Sequence, residues 1–416
     1  MKIIHTGDTH LGYSQYGSDE RRKDFLDAFE QVVEDAVDEE VDVLVHAGDL
    51  FHSRNPSLRD VIPTVELFER LDEADVETFA VVGNHEKKRD SQWLDLLENL
   101  GLVTRLSPEP VAVESRGEEV AFYGVDYLPR TTAESFDYDF EPSDAGVNLL
   151  VLHGRFKPFP YGEWDLREFA DNSEVDWDGY LLGDYHHHET EEIEGAWATY
   201  CGSTERASTE EREARGYNIV EVEDGDVSIS RRSLETRSFV FVDVDLTGKG
   251  ERNATREVIE RAREHDVEDS VVILDVDGES DEEVVQSEVE EAVLDEGALV
   301  VRVNDRRETD EETDLDVTFV DPDDAVEDRV EELGLSGVAD RIDRVVRGED
   351  VPKSKLADEV EERVESLAED SLGEFEGVEK EEESEDDDTW NRTPETDEET
   401  EDGGGGSADG SEEGTK

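Results

Sequence analysis

The sequence is short of cysteine, of basic residues and of long apolar runs. Cys201 is the single cysteine in 416 residues, which excludes an intrachain disulfide and favours a reducing compartment. No apolar stretch approaches the length of about 20 residues that crosses a bilayer, and Met1 to Ile4 leads directly into a predicted strand rather than a secretory signal. We therefore expect a soluble cytoplasmic protein with no membrane partner.

The few basic residues are outnumbered by acidic ones. Lys and Arg total 40 against 119 Asp and Glu, which gives a formal net charge of -79. A disordered chain could carry this charge, but strand and helix periodicity continues through the first two-thirds of the sequence. We interpret the charge as the surface of a folded protein in a cytosol of near-molar salt, typical of a halophile. In such salt the Debye length falls to about 3 Å and self-repulsion is screened.

One pattern recurs along the first half of the chain: a short apolar strand that ends in Asp, Asn or His, next to or near a Gly. The segments are Gly7-Asp8-Thr9-His10, Gly48-Asp49-Leu50-Phe51-His52, Gly83-Asn84-His85-Glu86, His153-Gly154 and Gly183-Asp184-Tyr185-His186. Apolar residues at helical spacing predict helices between the first three strands. Because ligands bind at the carboxyl ends of strands in α/β sheets, we expect all five segments at one edge of one sheet.

These segments supply the donor types of a metal centre. Carboxylate, imidazole and amide groups without thiolate suit Mn2+ better than a zinc ion held by cysteines. A carboxylate such as that of Asp49 can bridge two cations, because its two oxygens offer lone pairs in two directions. Two cations bridged about 3.5–4 Å apart activate water and stabilise the leaving oxygen of a phosphoester. Phosphoester hydrolysis is therefore the predicted reaction.

A single residue of this kind would have a simpler explanation. An Asp after a strand is often a helix cap, and an isolated His at a strand end is usually a polar group in a loop. We place His5 and His46 in the second class, because they lie within or before their Gly turns. Recurrence in five segments is what favours a site.

The five segments resemble the motifs of the calcineurin-like metallophosphoesterases. More narrowly, Asp49-Leu50-Phe51-His52 and Gly202-Ser203-Thr204-Glu205 resemble the DNA double-strand-break repair nucleases called meiotic recombination eleven, whose bacterial counterpart is SbcD. The resemblance implies an α/β fold: a metallophosphoesterase β-sandwich flanked by helices, with a small β-α-β-α-β capping domain and C-terminal helices. It covers the phosphoesterase part by motifs and the second domain by architecture alone.

Four parts of the chain are predicted. Residues 1–237 form the metallophosphoesterase (nuclease) domain, and residues 238–320 form a capping and DNA-binding domain whose apolar runs indicate β-α-β-α-β order. Residues 321–378 carry thin apolar stripes typical of a linker and partner-binding helices, although helices packed on the chain's own core are the alternative. Residues 379–416 form an acidic, Gly/Ser-rich tail that we expect to be disordered.

The resemblance also implies a role for each site residue, with two Mn2+ per subunit. One ion would be held by Asp8, His10, Asp49 and His186, and the other by Asp49, Asn84, His153 and Asp184. His85 would position the phosphate and protonate the leaving 3′ oxygen as a general acid. His52 would lie near the substrate. The implied activities are those of a 3′–5′ exonuclease and a single-strand endonuclease.

The segment that contains Asp184 departs from the family pattern, which is Gly-His-x-His. Either Asp184 replaces an imidazole directly, or the pair is shifted to His186 and His188. We favour Asp184, because it keeps the spacing from Gly183 and a carboxylate can coordinate Mn2+. His186 is a ligand in both versions.

The implied partners are double- and single-stranded DNA ends, an SMC-like ATPase of the radiation-sensitive fifty or SbcC family, and a second copy of the chain. We expect the ATPase contact within residues 321–378 and a nucleoid-associated location in the cytoplasm. Two alternatives stay open: another metallophosphoesterase, such as a phosphatase or phosphodiesterase, and a largely structural repair scaffold. The metal site by itself does not select the substrate.

Overall fold

The computed structural model describes residues 1–88, 91–127, 129, 136–247, 254–278 and 284–307. Met1–Asp310 forms one compact unit, and every element given below belongs to it. The predicted partner-binding helices of 321–378 and the predicted tail of 379–416 lie outside the described residues. In the described part, no helix combines the length and the apolar character that a membrane crossing needs.

The helices and strands follow one another from the first residues of the chain to Asp305. In chain order they are β1 (Lys2–Thr6), a 3-10 helix (Gln15–Gly17), α1 (Asp19–Asp38), β2 (Val43–His46), α2 (Leu58–Glu73), β3 (Glu77–Ala80), α3 (Trp93–Asn99), β4 (Thr104–Arg105), β5 (Val111–Ser115), β6 (Glu118–Val125), β7 (Val147–His153), β8 (Phe156–Lys157), β9 (Trp164–Asp165), α4 (Leu166–Asn172), β10 (Gly179–Gly183), β11 (Glu189–Ile193), β12 (Ala196–Tyr200), β13 (Gly216–Glu223), β14 (Asp226–Ser233), β15 (Phe239–Asp245), α5 (Ala254–Ala262), β16 (Val271–Asp277), α6 (Gln286–Leu294) and β17 (Val300–Asp305).

Two six-stranded sheets form the sandwich. Their strand orders are β14-β13-β1-β2-β3-β4 and β11-β12-β10-β7-β6-β5. Apolar side chains from both sheets, among them Ile3, Val45, Phe122 and Val151, share one buried core between them. The helices α1, α2 and α3 cover the outer face of the first sheet, and α4 packs beside the second. The expected β-sandwich flanked by helices is confirmed.

Helix α1 shows how sequence determines one of these layers. Phe29, Val32 and Ala36 recur at helical spacing and are fully buried against the first sheet. The helix begins after Ser18, whose side-chain oxygen accepts a hydrogen bond from the backbone N–H of Arg21 at 3.2 Å. Asp19 is the first helical residue, where its negative charge suits the helix dipole.

The strands after residue 238 form a separate three-stranded parallel sheet in the order β15-β16-β17. With α5 and α6 between them, the element order is the β-α-β-α-β that the sequence predicted. Arginines hold this sheet against the sandwich: Arg237 pairs with Asp24 at 2.6 Å, and Arg212 pairs with Asp275 at 2.8 Å. The predicted end of this part, at 320, lies outside the described residues.

The structure corrects the expectation that one sheet carries all five motif segments. Asp8, Asp49 and Asn84 follow β1, β2 and β3 of the first sheet, whereas His153 ends β7 of the second sheet and Asp184 follows β10 of that sheet. The sandwich brings the carboxyl ends of two sets of parallel strands together at one end. The site therefore lies between the sheets.

His5 and His46 are also placed differently from the expectation. They lie inside β1 and β2 rather than in loops, and both are essentially inaccessible to solvent. Burial lowers the pKa of each imidazole to about 3, so both are neutral at physiological pH. Each one is a structural residue of the sandwich, and His46 accepts or donates a 3.0 Å hydrogen bond with the hydroxyl of Thr9.

Candidate metal centre

All nine predicted site residues converge at the end of the sandwich. They are Asp8, His10, Asp49, His52, Asn84, His85, His153, Asp184 and His186. Asp8, Asp49, His10 and His153 are almost completely buried, whereas the His85 side chain is exposed. The arrangement is a buried set of donors with one imidazole at its open side.

One group of donors consists of Asp8, His10 and His186, whose ligand atoms all lie within 4.8 Å of one another. The Nε2 atoms of His10 and His186 face each other at 3.0 Å. Two imidazole lone pairs at this distance repel unless a proton or a cation lies between them. This group is therefore suited to hold a cation.

A second group consists of Asp8, Asp49 and His153, again within 4.8 Å. Nε2 of His153 lies 2.9 Å from the side-chain amide of Asn84, 3.5 Å from Oδ2 of Asp49 and 3.7 Å from Oδ1 of Asp184. Ligands about 2.1 Å from one octahedral cation lie about 3 Å apart at right angles and farther apart at wider angles. The spacing thus fits a divalent ion.

Asp8 belongs to both groups, and the carboxylate of Asp49 also connects them. Its Oδ2 atom lies 3.5 Å from Nε2 of His153 and 3.9 Å from Nε2 of His10. The carboxylate is thus within reach of both sets of donors, as a bridging ligand must be. Burial would raise the pKa of this carboxyl, but the imidazoles of His153, His10 and His85 together hold it below its usual value.

The other charges of the centre are strongly coupled. Burial raises the pKa of Asp8 to about 6. Burial opposes a charge on His153, but the summed attraction of Asp49, Asp8 and Asp184 outweighs it and raises the pKa to about 10. A divalent cation has to displace such protons, so we infer that cation binding to these donors weakens as the pH falls.

The backbone is held in an uncommon conformation at four of these residues. Asp8, His10, Asp49 and Asp184 have φ values of 49°, 44°, 54° and 86°, in the left-handed region that non-glycine residues seldom adopt. Backbone hydrogen bonds between the loops that follow β1 and β2 stabilise this conformation. The N–H of Asp8 donates to the carbonyl oxygen of Gly48, and the N–H of His10 donates to that of Asp49, each at 3.0 Å. Such residues concentrate at functional sites.

Two motif glycines allow the loops to approach one another. A Cβ atom at Gly83 would lie 2.0 Å from Oδ1 of Asp49, and one at Gly48 would lie 2.4 Å from Nδ1 of His153. Gly48 also has a φ of +93°, which other residues adopt at a cost. These two glycines are therefore needed to position the candidate ligands, not only to form turns.

Glu86 fixes two of the ligand loops from beneath. Its buried carboxylate accepts hydrogen bonds from the N–H groups of Phe51 at 3.0 Å, Gly83 at 3.2 Å and Leu50 at 3.3 Å. Burial, and then the nearby Asp49 charge, raises its pKa to about 7. The sequence showed Glu86 only as the last residue of a motif, whereas the structure shows that it ties the Asp49 loop to the Asn84 loop.

Glu211 is a residue of the centre that sequence reasoning missed. Its carboxylate accepts a hydrogen bond from Nδ1 of His186 at 2.8 Å, and it is held in turn by the N–H of Ala207 and by Arg215. This contact leaves Nε2 of His186 with its lone pair toward Asp8 and His10. No motif marks Glu211, which lies 25 residues farther along a segment rich in Glu and Arg.

His85 and His52 form the open side of the centre. The backbone N–H of His85 donates to Oδ1 of Asp49 at 2.9 Å, and Nδ1 of the His85 ring lies 3.1 Å from the carbonyl oxygen of His52. The His52 ring stacks on Tyr13 with ring centres 3.8 Å apart, and burial followed by the His85 charge lowers the pKa of His52 to about 4. Tyr13 is a second residue that the sequence did not single out.

Asp184 and His188 occupy different surroundings. Asp184 lies at the second group of donors, and its backbone N–H donates to the Asp8 carboxylate at 3.0 and 3.1 Å. His188 instead places Nδ1 at 3.1 Å from the carbonyl oxygen of Tyr200. Among the described residues, neither Asp184 nor His188 belongs to a cluster whose ligand atoms all lie within 4.8 Å of one another, so what separates them is the distance of 3.7 Å from Asp184 to His153.

Comparison with known proteins bears on the family. Residues 1–207 match the family model described as calcineurin-like phosphoesterase. The chain is 52% identical over 382 residues to the DNA double-strand break repair protein Mre11 of Haloferax volcanii, covering 91% of this chain and 85% of that protein. The Mre11 of Halobacterium salinarum is 49% identical and matches 89% of this chain and 95% of its own length.

Among solved structures, the chain is similar to a dimetal phosphatase from Danio rerio. The TM-score is 0.38 at 12% identity, and the match covers 56% of this chain and 96% of that one. A novel archaeal phosphodiesterase is similar with a TM-score of 0.31 at 15% identity, covering 56% of this chain and 100% of that one.

Proposed function

Because the chain belongs to the Mre11 family, within the calcineurin-like phosphoesterases, we propose that it is a Mn2+-dependent nuclease that processes DNA ends in double-strand break repair. The observation that carries this proposal is the position of Asp49, whose Oδ2 atom lies within 3.5 and 3.9 Å of imidazoles from the two donor groups. One shared carboxylate between two sets of donors is what a two-cation phosphodiesterase requires.

We assign the first cation to Asp8, His10, Asp49 and His186, and the second to Asp49, Asn84, His153 and Asp184. Burial lowers the pKa of His10, which keeps that imidazole neutral and able to donate its lone pair. When bound, the two cations would supply Lewis acidity toward the phosphodiester and lower the pKa of a water molecule. Glu211, through its contact with His186, would keep the correct nitrogen toward the first cation.

The remaining chemistry belongs to His85. Its exposed ring stands at the open side of the centre, next to His10 at a ring distance of 4.8 Å. Because Nδ1 faces the His52 carbonyl, the hydrogen on that nitrogen is held and Nε2 is left to meet a substrate. With a second hydrogen on Nε2, His85 would give that proton to the leaving 3′ oxygen of DNA and keep the hydrogen on Nδ1. His52, stacked on Tyr13, would border the same substrate.

The finer activities and partners are also part of the proposal. We propose 3′–5′ exonuclease and single-strand endonuclease activity, a homodimer, and an SMC-like ATPase partner that binds within residues 321–378. In near-molar salt, counterion release adds little to DNA affinity. The chain with its net charge of -79 would then depend on cations, backbone amides and its partner to hold DNA.

The proposed function is tested by comparing two substrates in multimolar KCl with Mn2+. The purified chain should degrade blunt linear DNA, with activity lost after chelation, and the ATPase partner should increase the rate. A small aryl phosphodiester serves as the comparison. Hydrolysis of the aryl ester without DNA cleavage would favour another phosphoesterase, and calorimetry showing no Mn2+ binding would favour a structural scaffold.

The choice between Asp184 and His188 as the ligand can be tested separately. We expect Asp184→Ala to raise the Kd of one of the two Mn2+ ions by at least about tenfold, because a charged oxygen donor is removed from the second group. His188→Ala is the matched comparison from the same loop and should leave both ions bound. Titration calorimetry with Mn2+ measures both variants. Loss of an ion in His188→Ala alone would instead support the shifted pair.

A further inference from the structure

The Asp184 carboxylate has two different neighbours. Oδ1 lies 3.7 Å from Nε2 of His153, on the side of the second donor group. Oδ2 accepts a hydrogen bond from Nε of Arg155 at 2.7 Å. One oxygen is therefore available to a cation, while the other orients a guanidinium group.

The contact with Asp184 orients the Arg155 side chain but uses only Nε of its guanidinium group. Its guanidinium lies 5.5 Å from the centre of the Tyr185 ring, and its carbonyl oxygen accepts hydrogen bonds from the N–H groups of Glu163 and Trp164 at 2.8 and 3.0 Å. Among the described residues, no hydrogen bond reaches Nη1 or Nη2. The side chain is 39% exposed, so these two nitrogens form an accessible edge beside the metal centre.

The ion pair of Asp184 and Arg155 affects the net charge of the site. A carboxylate in place of a neutral imidazole adds a negative charge to the centre and would weaken the attraction for a phosphodiester. The cation of Arg155 offsets that charge at a position nearer the solvent. The pair as a whole is neutral, like the imidazole of the usual motif. Unlike an imidazole, it also presents two N–H donors in the planar arrangement that binds phosphate oxygens.

We propose that Arg155 is a phosphate-binding residue of this site, oriented by Asp184 so that its terminal nitrogens contact the phosphodiester of the DNA substrate. The inference rests on the proposed nuclease function and adds a substrate contact to it. Because acidic residues outnumber basic ones by 119 to 40 in this chain, an oriented guanidinium beside the cations would add to the local attraction for DNA phosphates.

The test uses the full chain loaded with Mn2+ in high KCl. Binding of a fluorescent DNA duplex with phosphorothioate ends is measured by anisotropy, and cleavage of the normal duplex gives KM and kcat. We expect Arg155→Ala to raise both the Kd and the KM about tenfold, as loss of a hydrogen bond to a charged group does. The fall in kcat should be smaller than the rise in KM, and calorimetry should still find two Mn2+ ions. Arg155→Lys, which keeps the charge but not the planar fork, should recover only part of the affinity.

Arg116→Ala is the matched control. Arg116 also pairs through Nε with a carboxylate, that of Asp42, but at the opposite end of β2 from Asp49. The Arg116→Ala substitution removes the same charge as Arg155→Ala. It should leave the Kd and KM within about twofold of the wild type, because the Arg116–Asp42 pair is far from the metal centre.

Each other outcome has a distinct meaning. If the wild type binds Mn2+ and cleaves DNA but Arg155→Ala keeps the wild-type Kd and KM, the phosphate contact does not exist. If Arg155→Ala loses one Mn2+, its role is to hold Asp184 for the cation, which also overturns the proposal. If the wild type binds Mn2+ but cleaves no DNA, it is the proposed function that fails.

Discussion

Replacing Asp49 with Ala should remove both Mn2+ ions and lower DNA cleavage by roughly three orders of magnitude. The expectation follows from geometry, because Oδ2 of Asp49 lies within reach of His153 in one donor group and of His10 in the other. Loss of His10 or His153, each of which belongs to only one of these two groups, should weaken the binding of mainly one ion. Titration calorimetry with Mn2+ counts the ions, and a DNA end-degradation assay gives the rate.

The Asp49 experiment needs a variant that keeps the fold. Oδ1 of Asp49 also accepts the N–H of His85, so Ala would disturb a loop as well as the ions. Asp49→Asn keeps one acceptor oxygen but removes the charge and the second oxygen. The control is Asp42→Asn, which alters a carboxylate just before the same strand begins. If Asp49→Asn still binds two ions with wild-type affinity, Asp49 does not bridge them.

Replacing His85 with Ala should lower DNA cleavage by about 10²–10⁴-fold while both Mn2+ ions stay bound. The reason is that the ring is exposed at the open side of the centre, where it can reach a leaving oxygen, whereas the assigned ligands are more deeply placed. An aryl phosphodiester with an acidic phenol as leaving group needs little protonation. Its hydrolysis should therefore fall much less than that of DNA.

This comparison also decides a competing role for His85. His10, His52 and His85 present ring nitrogens within 4.8 Å of one another and could themselves hold a cation. If His85→Ala loses an ion, or if the rates of DNA cleavage and of aryl phosphodiester hydrolysis fall equally, His85 is a ligand rather than a general acid. His265→Ala, which removes an exposed imidazole from the small three-stranded sheet region, is the control for loss of a histidine.

Local order in the sequence was enough to predict the elements of the site. A Gly followed by Asp or Asn after an apolar run marked the strand ends that carry Asp8, Asp49 and Asn84. The β-α-β-α-β order after residue 238 followed equally from apolar runs. These features succeed because strand period and turn chemistry are set by neighbouring residues.

The same reasoning failed where a residue's neighbours are distant in sequence. His5 and His46 have the sequence context of loop histidines, but tertiary packing buries both. The second sheet covers His5, which contacts Leu182 of β10, whereas His46 lies against Phe29 of α1 with ring centres 5.9 Å apart. Glu211 reaches His186 across 25 residues, and Arg155 reaches Asp184 across 29. Neither contact has a local signal, because one Glu or Arg in so charged a chain is indistinguishable from the others until the fold selects it.

The sequence by itself determined the donor types, their order and the reaction they favour, since a carboxylate or an imidazole has the same chemistry wherever it lies. Tertiary structure decided that the donors come from two sheets rather than one, that Asp49 lies between both groups, and that Asp184 rather than His188 stands beside His153. The physical reason is that a ligand set is defined by distances of a few ångströms between side chains. Such distances are fixed only when the two sheets pack face to face and bring their strand ends together.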